Sequence, residues 1–151
     1  IHVEWDIEEK VKDCQIIKIV LQPLIENAII HGIFEKPERS GTLSVSAGCR
    51  EDGIRIIVRD DGVGMDEDEL KKLGKEISRP CKETESGFGL ANVNERIRMY
   101  FGAEFGMKIW SEKGSGTRIT IEIPAITDNP EKPEAGKQST RSEEAENEAE
   151  K

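Results

Sequence analysis

The chain has 151 residues, and its 31 acidic side chains exceed the 22 basic ones to leave a net charge of −9. This length allows one domain with a real core, while the acidic balance argues against nucleic-acid binding, which rests on clustered Lys and Arg facing phosphates. The cysteines Cys14, Cys49 and Cys81 are odd in number and widely spaced, so they favour a reducing cytosol over a disulfide framework or a CxxC metal site.

The two ends of the chain differ in composition. No apolar run is long enough to cross a bilayer and no signal peptide opens the chain, so we expect a cytoplasmic domain without membrane contact. The first residue is not Met, and we expect a fragment of a longer protein. From residue 125 onward there are eight acids, four bases and almost no large apolar residues. We therefore predict a body over residues 1–124 and a disordered acidic tail over residues 125–151.

The first half of the body predicts three strands and one long helix. Residues 1–7 alternate apolar and polar side chains, the period of a half-buried strand. Apolar residues at helical spacing predict a helix over about residues 16–32, kinked or restarted at Pro23. Residues 41–50 and 53–60 predict two strands that are joined as a hairpin.

The second half adds two helices and a second hairpin. Residues 66–77 predict a short polar helix with acids in its first turn. Residues 78–88 show no period, whereas residues 89–102 resume helical spacing. Residues 106–124 predict the final hairpin, with the isoleucines of its second strand on one side. Together these elements predict a two-layer α/β domain, with one mixed sheet and the helices on one face.

The stretch "DDGVGM" after the second strand of the first hairpin allows two interpretations. Asp61-Gly62 can be an ordinary turn that ends the strand, because glycine tolerates the positive φ of a tight turn. Alternatively, Gly62 and Gly64 let a ligand lie against the main chain while Asp60 contacts a polar edge of that ligand. This stretch alone leaves both open.

Four stretches in order carry a resemblance to a known family. "ENAIIHG", "DDGVGM", "GFGLAN" and "GSGT" resemble the N, G1 and G2 boxes and the closing Gly-Thr element of the GHKL ATPases, which include histidine kinases, gyrase, mismatch-repair ATPases and the ninety-kilodalton heat-shock chaperone. "LQPLIENAIIHG" with "GFGLANVNERIRMYFG" is similar to the catalytic ATP-binding domain of LytS- and YesM-like sensor histidine kinases, over about residues 1–124. The resemblance implies a Bergerat-type α/β two-layer sandwich with a mixed, largely antiparallel sheet.

The N-box residues carry the predicted metal site. Asn27 and His31 are four residues apart, so on an α-helix they lie on one face. The resemblance implies that the Asn27 amide oxygen ligates a Mg²⁺ ion that bridges the phosphates of ATP, with His31 near the ribose or phosphates. From the residues alone, Asn27 can also be a surface amide and His31 a partner of the helix dipole. Glu26 is a further candidate catalytic residue, although it points about 100° away from Asn27 around the helix.

The G1 residues carry the predicted base contact. In the resembling family the acid at Asp60 accepts a hydrogen bond from the exocyclic amine of adenine, and Gly62 and Gly64 admit the base, with Met65 beside them. An ionised carboxylate is an acceptor only, so it selects an amine over the keto group of guanine. Thr117 supports the carboxylate through its hydroxyl and an ordered water, or is simply a strand residue with high β propensity.

The G2 residues carry the predicted phosphate contacts. "GFGLAN" opens a helix whose unpaired amides can face phosphate oxygens, and Gly87 and Gly89 remove side chains that would block the approach. Phe88 and Leu90 belong to the same predicted site. Asn92 either contacts a phosphate or satisfies local backbone groups.

Residues 78–88 are predicted to form a lid over the nucleotide. Arg79 or Lys82 in this segment can grip the γ-phosphate, although a charged loop can also be merely solvated. Two departures limit the resemblance. Pro23 stands where gyrase-type relatives carry the glutamate that activates water, and the phenylalanine-bearing F box of other histidine kinases is not evident.

The resemblance implies that the domain binds Mg·ATP and donates the γ-phosphoryl group to a histidine on a separate dimerisation domain. The expected parent is a membrane-bound sensor kinase with a response regulator downstream. A self-contained GHKL ATPase and a non-catalytic, nucleotide-gated interaction module are the alternatives, and Pro23 argues against vigorous hydrolysis.

Overall fold

A computed structural model of the chain describes residues 1–12, 14–15, 20–51, 53–78 and 89–127. Within these ranges the strands are β1 (His2–Ile7), β2 (Cys14–Gln15), β3 (Thr42–Arg50), β4 (Gly53–Asp60), β5 (Gly106–Glu112), β6 (Gly116–Ile123) and β7 (Ile126–Thr127). The α-helices are α1 (Leu21–Asn27), α2 (Glu67–Ile77) and α3 (Leu90–Phe101), and a π-helical segment (Ala28–Ile33) continues α1.

Five of these strands form one mixed sheet in the order β1-β3-β4-β6-β5. β1 pairs with β3 in parallel, and the other neighbours pair antiparallel. The two predicted hairpins, β3–β4 and β5–β6, are both present. β2 and β7 form a separate two-stranded sheet.

The core lies between the sheet and one layer of helices. Alternate residues of each central strand face the helices, because side chains of a strand point to opposite faces in turn. The predicted two-layer α/β architecture is therefore confirmed, as is the shared side of the β6 isoleucines. The side chains that are less than 2% exposed include Leu24, Ile33, Leu43, Ile54, Ile97, Ile119 and Ile121.

The edge strand β1 differs from the half-buried strand that its alternation predicts. Val3 pairs with Leu43 and Trp5 with Val45, so both lie on the side of the sheet that carries the helices. Val3 is nevertheless 41% exposed and Trp5 62% exposed, whereas their partners are buried. The helix layer therefore ends at β3 and leaves most of β1 uncovered.

The first long helix is described from Leu21 and changes its winding within the N box, and residues 16–19 of the predicted range lie outside the described residues. Pro23 lies in the first turn of α1, where a backbone N–H has no partner inside the helix, and this position fits the second predicted alternative, a helix that restarts at Pro23. The change comes after Asn27, where the chain becomes π-helical. The N–H of Phe34 donates to the carbonyl of Ile29, 2.8 Å away, which is the i→i+5 bond of a π-helix.

A buried amide on α3 fixes this helix against its neighbours. Asn94 donates from Nδ2 to the carbonyl of Ile77, the last residue of α2, at 2.8 Å. Its Oδ1 accepts the N–H of Met107 on β5, also at 2.8 Å. Because both bonds are buried and satisfied, they hold α3, and with it the start of the predicted phosphate site, in a defined position.

The predicted boundary at residue 124 stays a prediction. Ile126–Thr127 form β7 and pair with Cys14–Gln15. Residues 128–151 lie outside the described residues. In the part of the chain that the structure describes, no helix has the length and apolar character needed to span a membrane.

Candidate nucleotide site

The helix-covered face of the sheet ends in a row of polar residues. On β4, Val58 faces the helices and pairs with Ile119. The next residue of β4 that faces the same way is Asp60. Asp60 pairs with Thr117 on β6, and Thr117 pairs with Ser111 on β5. We call Asp60, Thr117 and Ser111 the polar row. Their exposed fractions are only 3%, 6% and 9%, so polar groups continue a face that is otherwise apolar core.

Asp60 is a buried carboxylate with one oxygen already engaged. Its Oδ1 accepts the backbone N–H of Gly62 at 2.8 Å. Burial raises the pKa of the Asp60 carboxyl above its ordinary value, and the charge of Asp61 adds to that effect. Backbone hydrogen bonds from Gly62 and Thr117 work against burial, because they stabilise the ionised form. Asp60 therefore offers an acceptor in a site where acceptors are costly to leave without partners.

Two glycines let the end of the π-helical segment rest on this carboxylate. A Cβ on Gly32 would lie 2.6 Å from Oδ1 of Asp60, and a Cβ on Gly62 would overlap the backbone of Gly32. The N–H of Val63 donates to the Gly32 carbonyl at 3.1 Å. The backbone of Gly32 therefore occupies the space that a side chain at Gly62 would need. The sequence predicted that this space admits the base. A direct role of Gly62 in binding stays a prediction.

The other side of the glycine loop, residues 61–66, is held by the β5–β6 turn. Gly64 has φ +64°, and a Cβ there would overlap the carbonyl of Glu112. The N–H of Gly114 donates to the carbonyl of Val63 at 2.7 Å. A glycine at position 64 is therefore favoured by the left-handed backbone conformation and by the close packing against Glu112.

Ser111 joins the glycine loop to the polar row. Its Oγ accepts the N–H of Met65 at 2.8 Å, and it lies 3.0 Å from the Gly116 carbonyl and 2.9 Å from Oγ1 of Thr117. The backbone N–H of Met65 is therefore committed to the protein. Ser111 belongs to none of the four family motifs, although its position carries one signal, since the inward positions of β5 run from Met107 to a serine.

The N-box candidates lie around the junction of α1 and the π-helical segment. Asn27 is the last residue of α1 and is half-buried, while His31 lies in the π-helical segment and is exposed. Their four-residue spacing therefore falls across a change of winding and is not one α-helical turn. Glu26 is exposed and accepts a bond from Nε2 of Gln22 at 2.7 Å. The roles of Asn27, His31 and Glu26 stay predictions.

The G2 candidates are only partly described. Gly89 is the N-cap of α3, and a Cβ there would meet no described atom within 4 Å. Leu90 is 6% exposed and packs in the core, which leaves only its backbone for a ligand. The backbone N–H of Asn92 bonds to the Gly89 carbonyl at 3.1 Å. The remaining candidates lie outside the described residues: Arg79, Lys82, Gly87 and Phe88.

A metal site made by the protein alone gathers several His, Cys, Asp or Glu side chains. Among the described residues, no three His, Cys, Asp or Glu side chains converge on one point. An amide oxygen such as that of Asn27 is a hard donor that suits Mg²⁺, which commonly takes one or two protein ligands together with substrate phosphates. The available donors therefore fit a metal that arrives with its nucleotide.

Comparisons with known proteins agree with this geometry. Among curated proteins, sensor histidine kinase YesM of Bacillus subtilis is 40% identical over 79% of this chain, and sensor protein LytS of Bacillus cereus is 37% identical over 82%. The chain spans only 19% and 20% of these two relatives. The blue-light activated histidine kinase of Erythrobacter litoralis has the same fold, with a TM-score of 0.55 at 18% identity over 82% of this chain and 35% of that one.

Residues 12–127 match the family described as histidine kinase-, DNA gyrase B- and HSP90-like ATPases. This match includes every strand of the five-stranded sheet except β1, and it contains the whole polar row. The chain belongs to the histidine kinase-, DNA gyrase B- and HSP90-like ATPase family.

Proposed function

We propose that this domain binds Mg·ATP and donates the γ-phosphoryl group to a histidine on a separate dimerisation domain, as a step of two-component signal transduction. The observation that carries the proposal is the buried Asp60 carboxylate, held by the Gly62 N–H at the end of the sheet. Membership of the ATPase family and the similarity to two sensor histidine kinases support it.

Asp60 would select the base. A carboxylate accepts hydrogen bonds and donates none, so it pairs with the exocyclic amine of adenine and repels the keto oxygen that guanine presents at the same position. Because Asp60 is buried, this preference acts in a medium where an unpaired acceptor is costly. The wrong base would leave the carboxylate without its partner.

Two features would hold the phosphates. The amides of Leu90 and Ala91 open α3, a helix of 12 residues that follows Gly89, ahead of its first internal hydrogen bonds, and they carry the positive end of its dipole. Asn27 would supply one oxygen to the metal ion. When bound, Mg²⁺ would neutralise part of the negative charge on the phosphates.

The transfer step would rest on positioning. A nitrogen of the acceptor histidine forms a bond to the γ-phosphorus while the bond from that phosphorus to the bridging oxygen breaks, and ADP leaves with the electron pair. Such a step needs alignment and charge neutralisation more than covalent chemistry by the protein. Pro23 is buried where hydrolytic relatives are expected to carry a base, so the domain would activate water poorly.

The partners would be other parts of a signalling system. We place this domain on the cytoplasmic side of a membrane-bound parent kinase, with a response regulator that receives the phosphoryl group afterwards. Most of each relative's length lies outside the matched region, which is where those kinases can carry an acceptor domain.

Replacing Asp60 should weaken nucleotide binding without lowering the stability of the nucleotide-free fold. Asp60→Asn keeps the acceptor for the Gly62 N–H but weakens the charge-assisted contact with adenine, so ATP affinity should fall by about 1.5–3 kcal/mol, roughly ten- to a hundredfold in Kd. Burial raises the pKa of Asp60, so the ionised carboxylate opposes folding once the pH exceeds that raised value. The nucleotide-free variant should therefore be at least as stable as the wild type at neutral pH.

Isothermal titration with ATP and chemical denaturation without ligand measure the two effects of Asp60→Asn. Asp6→Asn is the matched control, because it makes the same chemical change at an exposed residue of the edge strand β1. Equal ATP affinity in wild type and Asp60→Asn would exclude the base-reading role.

Replacing Asn27 should remove the metal-dependent part of nucleotide binding. Asn27→Ala deletes the proposed metal ligand at the end of α1 without emptying the core, since Asn27 is only half-buried. ATP affinity should lose most of its dependence on Mg²⁺, by about tenfold or more, while affinity in the presence of a chelator stays the same. Gln22→Ala, the loss of an exposed amide on the same helix, is the control. An Asn27→Ala protein that keeps the full response to Mg²⁺ would contradict the assignment.

Comparing hydrolysis with phosphotransfer should distinguish a kinase from a self-contained ATPase. The isolated domain should consume ATP very slowly and should not label itself, because the acceptor and the base reside elsewhere. Adding the dimerisation domain of the parent kinase should produce phosphohistidine on that domain. Rapid multiple-turnover hydrolysis by the isolated domain, abolished by Glu26→Ala, would replace the kinase with the ATPase.

A further inference from the structure

We propose that Ser111 is a positioning residue that sets the affinity for adenine nucleotides by holding in place the two segments beside Asp60, the glycine loop and the start of β6. The proposal rests on the proposed function, because it concerns how the same site recognises its base. Ser111 lies on β5, at the end of the polar row farthest from Asp60.

The hydroxyl of Ser111 uses all of its hydrogen-bonding capacity within the protein. A serine hydroxyl can donate one bond and accept two. Here it accepts the Met65 N–H, donates to the Gly116 carbonyl and is free to accept the hydroxyl of Thr117. With Ser111 only 9% exposed, the side chain is too enclosed for water to replace these partners freely. Ser111 therefore connects the glycine loop to the start of β6 through a single oxygen.

The segments that Ser111 connects are the ones that hold Asp60. One bond to the Asp60 carboxylate comes from Gly62, in the same glycine loop as Met65. The other segment is the start of β6, where Thr117 pairs with Asp60 in the sheet and contacts Ser111 through its side chain. Loss of the Ser111 hydroxyl would leave the Met65 N–H and the Gly116 carbonyl without this partner. It would remove the link between the Met65 end of the glycine loop and β6, while the bond from the Gly114 N–H to the Val63 carbonyl remains.

A purely structural role predicts a different pattern of effects. If Ser111 only stabilised the fold, its removal would weaken every ligand of the site in the same proportion. If Ser111 acts through Asp60, its removal should weaken only the contact between Asp60 and the exocyclic amine of adenine. The loss of affinity should then be absent for a nucleotide without that amine and in a variant without the Asp60 charge. Purine riboside triphosphate lacks only this amine and keeps the sugar and the phosphates of ATP, so it is a suitable probe.

The experiment is a double-mutant cycle measured on the full chain by isothermal titration with Mg·ATP and with Mg·purine riboside triphosphate. Ser111→Ala should weaken ATP by about five- to tenfold, the equivalent of one hydrogen bond, and should leave purine riboside triphosphate unchanged. Combined with Asp60→Asn, it should cause no further loss of ATP affinity. Ser111→Thr, which keeps the hydroxyl, should restore most of the ATP affinity.

Ile121→Val is the matched control, because it removes a methyl group from the buried core of β6 and leaves the polar row intact. If Ser111→Ala does not fold, Ser111→Cys carries the test with nearly the same volume and weaker hydrogen bonds.

An equal loss for both nucleotides, an additive effect with Asp60→Asn, or a failure of all three Ser111 variants to fold would each reduce Ser111 to a structural residue and overturn the proposal. A wild-type protein that binds no ATP would instead overturn the proposed function, so the two failures are distinguishable.

Discussion

The packing of a helix end onto a buried carboxylate is the constraint on which the site depends. Asp60 ends the central strand β4 on its core face, and Gly32 brings the backbone of the π-helical segment against it. Any side chain at Gly32 would collide with the carboxylate, and any side chain at Gly62 would collide with Gly32. The glycine loop is therefore fixed from the helix side, and Ser111 and Gly114 fix it from the side of the β5–β6 turn.

The buried Asp60 carboxylate lowers the stability of the fold, and the same cost would favour the binding of a ligand that donates a hydrogen bond to it. A folded protein gains little from an ionised carboxylate at the edge of its core, because burial disfavours the charge. The backbone hydrogen bonds of Gly62 and Thr117 offset that cost only in part, since burial remains the larger influence on the pKa of Asp60. A ligand that donates a hydrogen bond to the remaining acceptor offsets more of it. In the proposed function, the site is thus preorganised for a donor such as the exocyclic amine of adenine.

The site residues differ in how far the sequence could predict them. That Asp60 and Thr117 lie together could be predicted, because they stand at inward positions of strands with clear alternation and belong to ordered motifs, while their contacts with a nucleotide stay predictions. Ser111 and Gly32 could not be assigned a contact, because their roles depend on register and on the approach of segments distant in the chain. The π-helical winding after Asn27 could not be predicted either, since the apolar spacing there is compatible with an ordinary α-helix. The exposure of β1 depends on how far the helix layer extends over the sheet. The alternation of apolar and polar residues along a strand does not predict that extent.

The most direct test of base recognition is a crystal structure of the chain with Mg²⁺ and a non-hydrolysable ATP analogue. The adenine amine should lie within hydrogen-bonding distance, about 3 Å, of an Asp60 carboxylate oxygen. The bond between Asp60 and the Gly62 N–H, and the contacts of Ser111 with Met65 and Gly116, should remain in place. An adenine bound away from Asp60, or a base contact formed only after the glycine loop has left Gly32, would contradict a preformed site built on the polar row.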